Sequence, residues 1–132
     1  MERIHAAKVL TCNLDMKQEA AVRALCGGLA VQSRPVSREE QGERVGTLAG
    51  ILPPSGSTGF TVPFFEPMLV LCGFSEWQMN AFLEGLRHAG VSIPLKAVMT
   101  PANSGWPLAR LYQELEREHQ AVRKRTERKG QK

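Results

Sequence analysis

The sequence has no apolar run long enough to cross a bilayer. Its longest, such as Met68–Cys72, falls far short of the roughly 18 residues a span requires. The first ten residues, MERIHAAKVL, are too charged to form the apolar core of a secretory signal. Cysteine is scarce and odd in number: Cys12, Cys26 and Cys72 share no C-x-x-C spacing, which argues against a disulfide framework and a structural zinc site. The three histidines are scattered; Glu116–His119 reads E-x-x-H, but a di-iron site needs that motif on two helices with further carboxylates, so a solvated helix face is expected and no metal. Neither G-x-x-x-x-G-K-[ST] nor a G-x-G-x-x-G after the first strand is present, so both common nucleotide fingerprints are missing and no cofactor is expected. These absences favour a cytoplasmic protein in a reducing compartment, with no membrane partner.

What is present is a 132-residue chain, of a size for one domain with one core. Its net charge of +4 is unevenly placed. Six cations against Glu127 give residues 121–132 a charge of +5, so the other 120 residues carry −1. The basicity belongs to a tail, expected to be frayed and solvated, and no aromatic there could stack on a base. Nucleic acid is therefore expected to make weak tail contacts at most.

The chain also repeats itself. VLTCNLDMKQEAAVRALCGGLAV (9–31) aligns with LVLCGFSEWQMNAFLEGLRHAGV (69–91), matching Cys12 with Cys72, Asp15 with Ser75, Gln18 with Gln78 and Val22 with Phe82. Each copy reads as a strand, a capping residue, and an amphipathic helix. A second strand follows in each, near 30–36 and 95–99. After these, the Ser37–Glu40 capping box predicts a helix over 38–49, and the stripe of Leu108, Leu111, Tyr112, Leu115 and Val122 predicts another. The expected organisation is a single domain over 1–120, built of two βαβα halves at about 8–49 and 68–120. Between them, the Pro/Gly-rich segment 50–67 is expected to cover a core edge or to act as a lid or dimer contact, since Phe60, Val62, Phe64 and Phe65 need cover.

The order βαβα twice predicts an α/β fold: a four-stranded, mostly parallel sheet of order 2-1-3-4 with helices on both faces. A ferredoxin-like α+β arrangement is the alternative. A helix of about 12 residues over 38–49 rises about 18 Å, enough to return the chain along a five-residue strand, so all four strands can run parallel. In that form the turns Cys12–Asp15 and Cys72–Ser75 face one another across a crevice at the strand ends, each opening a helix whose N-terminus favours anions. In the ferredoxin-like form they lie at opposite ends of the sheet.

The segments PMLVLCGFSEWQMNAFLEGLRHAG and IPLKAVMTPANSGWPLARLYQELEREH, clearest from Pro67 to His119, resemble the bacterial family known as domain of unknown function 3783. The specific elements are Cys72-Gly73-Phe74, Leu95-Lys96-Ala97-Val98, Thr100-Pro101, Asn103 and Trp106. The resemblance implies a stand-alone bacterial protein in the cytoplasm, with no activity to carry over.

Lys96 is the odd residue of this stretch. It either snorkels at a sheet edge, blocking aggregation, or aims an ammonium at an anion. Thr100 and Asn103 suit turn capping, and Trp106 either plugs the core or walls a pocket. The leading expectation is a binding or regulatory domain, with a homodimer as one option, for a small anionic metabolite or nucleotide. Its ligand-binding candidates are Asn13, Gly73, Ser75, Lys96, Thr100, Asn103 and Trp106. The alternatives are an enzyme with Cys72 or Cys12 as nucleophile and Lys96 as electrostatic partner, and a protein-interaction module.

Overall fold

The computed structural model describes residues 7–54 and 63–130, with side chains through 124. The chain runs β1 (Ala7–Cys12), α1 (Met16–Leu29), β2 (Val31–Val36), a 3-10 turn (Arg38–Glu40), α2 (Val45–Leu48), β3 (Met68–Cys72), α3 (Glu76–His88), β4 (Leu95–Val98) and α4 (Leu108–Gly130). The four strands form one sheet in the expected order β2-β1-β3-β4. The outer pairs β1–β2 and β3–β4 are parallel, as a strand–helix–strand crossover requires. The central pair is antiparallel, with Lys8 opposite Cys72 and Cys12 opposite Met68.

The reversal at the centre has a traceable cause. The segment after β2 does return along the sheet, though as a 3-10 turn and a four-residue helix rather than one helix over 38–49. By Gly50 the chain is back at the N-terminal end of β1, where a Cβ on Gly50 would stand 3.2 Å from Lys8 Nζ. By Phe64 it has crossed again to the far end, where the Asn13 side chain holds the Phe64 carbonyl. Two traverses in place of one start β3 opposite Cys12 and point it the other way.

The same reversal decides which faces the helices cover. Two right-handed crossovers in opposite strand directions put both helices on one face. There Val22 and Cys26 of α1 and Phe82 and Leu86 of α3 pack on Val9, Val31, Leu69 and Leu71. Gly85 admits the Leu25 side chain so closely that a Cβ there would collide with Leu25 Cδ2. The other face carries α2, α4 and Phe64 over Leu10, Met68, Val70, Leu95 and Ala97. β3 is buried at every position, whereas β4 alternates buried and exposed, the pattern of an edge strand.

The expected N-caps form in both halves. Asp15 and Ser75 each accept from the backbone of the third helical residue, Gln18 or Gln78, whose side-chain oxygen accepts in return. The residue after each strand's cysteine, Asn13 or Gly73, has positive φ (59° and 71°), turning the chain into the helix. The connection between the halves is fixed at its end: Phe64 is buried and stacked on Tyr112 at 4.2 Å, while Phe65 is exposed beneath the Arg38 guanidinium. Phe60 and Val62 lie outside the described residues. α4 continues as helix through Gly130, across most of the segment expected to fray from 121. No helix among the described residues is long and apolar enough to cross a membrane.

Candidate functional site

Because β3 opposes β1, the crevice expected between the two strand–helix turns does not form. Asn13 lies at the Met68 end of the sheet, while Gly73, Ser75, Thr100 and Asn103 follow the C-terminal ends of β3 and β4 at the Lys8 end. The structure therefore separates Asn13 from the other candidates. The polar groups also have local duties. Asn13 Nδ2 donates to the carbonyls of Phe64 (2.9 Å) and Glu66 (3.1 Å). Ser75 Oγ caps α3 by accepting from Gln78 N–H at 3.0 Å. Thr100 and Asn103 exchange side chain–backbone bonds of 2.8 and 3.2 Å, and Asn103 Nδ2 donates to Val98 O. Trp106 stacks under the Arg110 guanidinium, and its carbonyl accepts from Val45 N–H.

The two thiols stand at opposite ends of the β1–β3 pair and both are buried. Burial pushes Cys12 up to about 12 and Cys72 to about 12, the latter despite the opposing field of the Lys8 ammonium. An activated nucleophile needs the opposite shift. Cys26 is raised to about 11 by burial and by the Glu19 carboxylate. Among the described residues no three His, Cys, Asp or Glu side chains come together as a metal site.

Lys96 remains. It sits on β4, the edge strand, on the face that carries α3; Nζ donates to the Ile93 carbonyl at 2.7 Å, and partial burial lowers its pKa. It borders an open depression of about 480 Å³ whose other walls are Leu83, Arg87, Val91 and Ile93. Beside the same strand, toward α4, lies a smaller depression of about 220 Å³, bounded by Leu95, Leu115, Glu118, His119 and Val122 and touched by Lys96 as well. The Arg87 guanidinium pairs with Glu84, which also reaches the His88 ring at 3.0 Å.

The backbone of this edge is informative. Met99 N–H bonds to Leu71 O, and Leu71 is in register with Val98, so the polar groups of Ala97 and Met99 face β3. Those of Lys96 and Val98 then point outward. Val98 O is taken by Asn103, while Lys96 N–H, Lys96 O and Val98 N–H have no partner among the described residues.

Sequence reasoning had singled out Lys96 but not Arg87, which reads as one more cation on an exposed helix face. It also missed the glutamines. Gln18 and Gln78 cap their own helices and then reach across to the other half, Gln78 Nε2 to Leu29 O at 2.9 Å and Gln18 Nε2 to Ser92 O at 3.5 Å. Their alignment in the repeat was the available signal. Gln41 is buried and exchanges two hydrogen bonds with the Phe64 backbone; nothing in the local sequence marks it.

Comparison with curated proteins and with solved structures gives no match. A family model does match, over residues 67–122, and the matched stretch runs from the residue before β3 through α3 and β4 into α4. It thus contains Lys96, Arg87 and both depressions beside the β4 edge. Over those residues the chain is similar to the family described as a domain of unknown function (DUF3783).

Proposed function

We propose that this protein is a binding domain, not a thiol-dependent enzyme, and that it holds an anionic group at the β4 edge between Lys96 and Arg87. The observation that carries the reading is the Lys96 ammonium, drawn partly out of water into an open depression with a single backbone carbonyl as its hydrogen-bond partner. A partly desolvated ammonium retains two donors, and an anion there would raise its depressed pKa and form charge-assisted bonds. Arg87 adds a second cation on the same wall, with N–H groups beyond those facing Glu84. The rival use of Cys12 or Cys72 loses support from burial and raised pKa. We also propose an origin by duplication of one βαβ unit, supported by the paired positive-φ residues and paired capping boxes. A bacterial cytoplasmic setting fits the three unpaired thiols.

Thermal unfolding in the presence of phosphate, citrate and glutarate tests the reading. A ligand at a hundredfold excess over its Kd stabilises by about 2.7 kcal/mol, on the order of 10 °C in Tm for a domain of this size. At least one of these anions is expected to raise Tm in the wild type and to lose that effect in Lys96→Met. No shift with any of them, or shifts that persist in Lys96→Met, would refute the assignment.

A further inference from the structure

We infer that the β4 edge binds an extended acidic peptide segment of a partner protein as a fifth strand, with a carboxylate opposite Lys96 and apolar side chains over the α4-side depression. The inference rests on the anion reading above and names the kind of molecule that bears the anion.

Three observations on different parts of the edge converge. The first is the backbone: Lys96 N–H, Lys96 O and Val98 N–H form an outward row without partners among the described residues. An antiparallel strand that exchanges both bonds with Lys96 places one of its residues directly opposite, on the same face of the sheet. The second is charge. On that face stand Lys96 and Arg87, and an opposite-charge cross-strand pair is favourable there. On the other face the depression is walled by Pro94, Leu95, Leu115 and Val122, with Glu118, His119 and Lys96 at its margins, so an apolar side chain fits. The two faces of the edge thus ask for different chemistry at alternate positions, which is how strand addition gains specificity. The third is exposure. Of the seven large apolar side chains exposed among the described residues, Leu83, Val98 and Val122 all border this edge.

The opposite edge offers no equivalent. β2 carries Pro35 within the strand, which has no N–H to donate, and its Arg34 is engaged with Glu40 in a bidentate pair. Lys96 by itself would be ordinary edge protection. Unpaired backbone, a second cation, and a depression on each face go beyond what protection needs.

The test uses the full chain and a capped peptide, acetyl-Ser-Val-Thr-Val-Glu-Val-Ser-amide, which alternates as the edge requires. Three controls accompany it: the same residues in blocked order, the alternating peptide with its alternate amides N-methylated, and free glutarate. Amide NMR titration is expected to show saturable shifts confined to residues around 83–99 and 115–122 with the alternating peptide. N-methylation, block order and Lys96→Met are each expected to weaken binding at least about tenfold, as is Val98→Pro, which removes an outward N–H that the sheet does not use. If Val98→Pro fails to fold, the N-methylated peptide carries the same question. Glutarate binding without any preference for the alternating peptide would overturn strand addition and leave the anion site standing. Absence of binding by both would overturn both. A concentration-dependent dimer in sedimentation that Val98→Pro dissociates would assign the edge to a second copy and overturn the partner peptide.

Discussion

Replacing Gln41 should do more damage than its loop position suggests. Its side chain is 1% exposed and acts as a peptide group: Oε1 accepts from Phe64 N–H at 2.9 Å and Nε2 donates to Phe64 O at 3.2 Å. Gln41→Leu keeps the volume and removes both bonds. Phe64 O retains Asn13 Nδ2 at 2.9 Å, but Phe64 N–H is left buried without an acceptor. Two neutral bonds at about 1 kcal/mol each, with about 1–3 kcal/mol for the orphaned donor and some return from burying an apolar side chain, give a net loss of about 2–3 kcal/mol. With a urea m-value of about 1.5 kcal/mol/M for a chain of this size, the midpoint followed by circular dichroism should fall by about 1.3–2 M with m unchanged. Gln41→Glu sharpens the test. Its carboxylate cannot donate to Phe64 O, so burial and that carbonyl raise the folded pKa above the unfolded value of about 4.3. A raised folded pKa means stability that is present below the unfolded pKa and lost as pH rises through the folded one, so Gln41→Glu should approach wild type near pH 4 and fall below it at pH 7. A Gln41→Leu loss under about 1 kcal/mol, or a Gln41→Glu deficit independent of pH, would refute the claim that this amide fixes the chain where β3 begins.

Thr11 makes the reverse prediction. Its hydroxyl is buried at 2% exposure with no partner among the described residues, so Thr11→Val should leave the fold intact and raise stability by about 1 kcal/mol in the same urea assay. The buried thiols predict an alkaline limit: Cys12 and Cys72, both raised to about 12, hold their protons in the fold after an unfolded thiol at about 8.5 has lost its own. Stability from them is complete below that unfolded value and is lost as pH rises towards 12, on the order of 1 kcal/mol per thiol per pH unit. Replacing Cys12 with Ala should flatten that slope, and iodoacetamide should label neither thiol at pH 8 until urea unfolds the chain.

Much of the architecture was legible because it depends on local signals. Asp15 and Ser75 announced their helices, Lys96 inside an apolar strand carried an edge position as one of its two readings, and right-handed crossovers fixed the order β2-β1-β3-β4. The direction of β3 was not legible, because it depends on how often the chain between Val36 and Met68 crosses the sheet. That number is set by side chains acting over long separations: Asn13 and Gln41 on Phe64, and Tyr112 on Phe64 and Glu66. Only Tyr112 lies on a periodic stripe, and the stripe does not name its partners. Arg87 was missed for a related reason, since a cation on an exposed helix becomes part of a site only when a particular strand edge is set beside it.

One sign reversal therefore moves the functional argument across the molecule. With β1 and β3 parallel, two helix N-termini would share a crevice and Asn13 would face Ser75. With the pair antiparallel, the turns part, their polar groups cap and brace the backbone, and α1 and α3 cover one face together. The two central strands then share no crevice between their turns. The two margins of the sheet also differ: β2 carries Pro35 within the strand, whereas β4 keeps its outward amides and a cation-lined depression. Lys96 draws its significance from this asymmetry. Of its two readings in the sequence, edge guard or anion contact, the proposed strand addition lets one ammonium serve both: it would discourage indiscriminate pairing along β4 and favour a strand that brings a carboxylate to meet it.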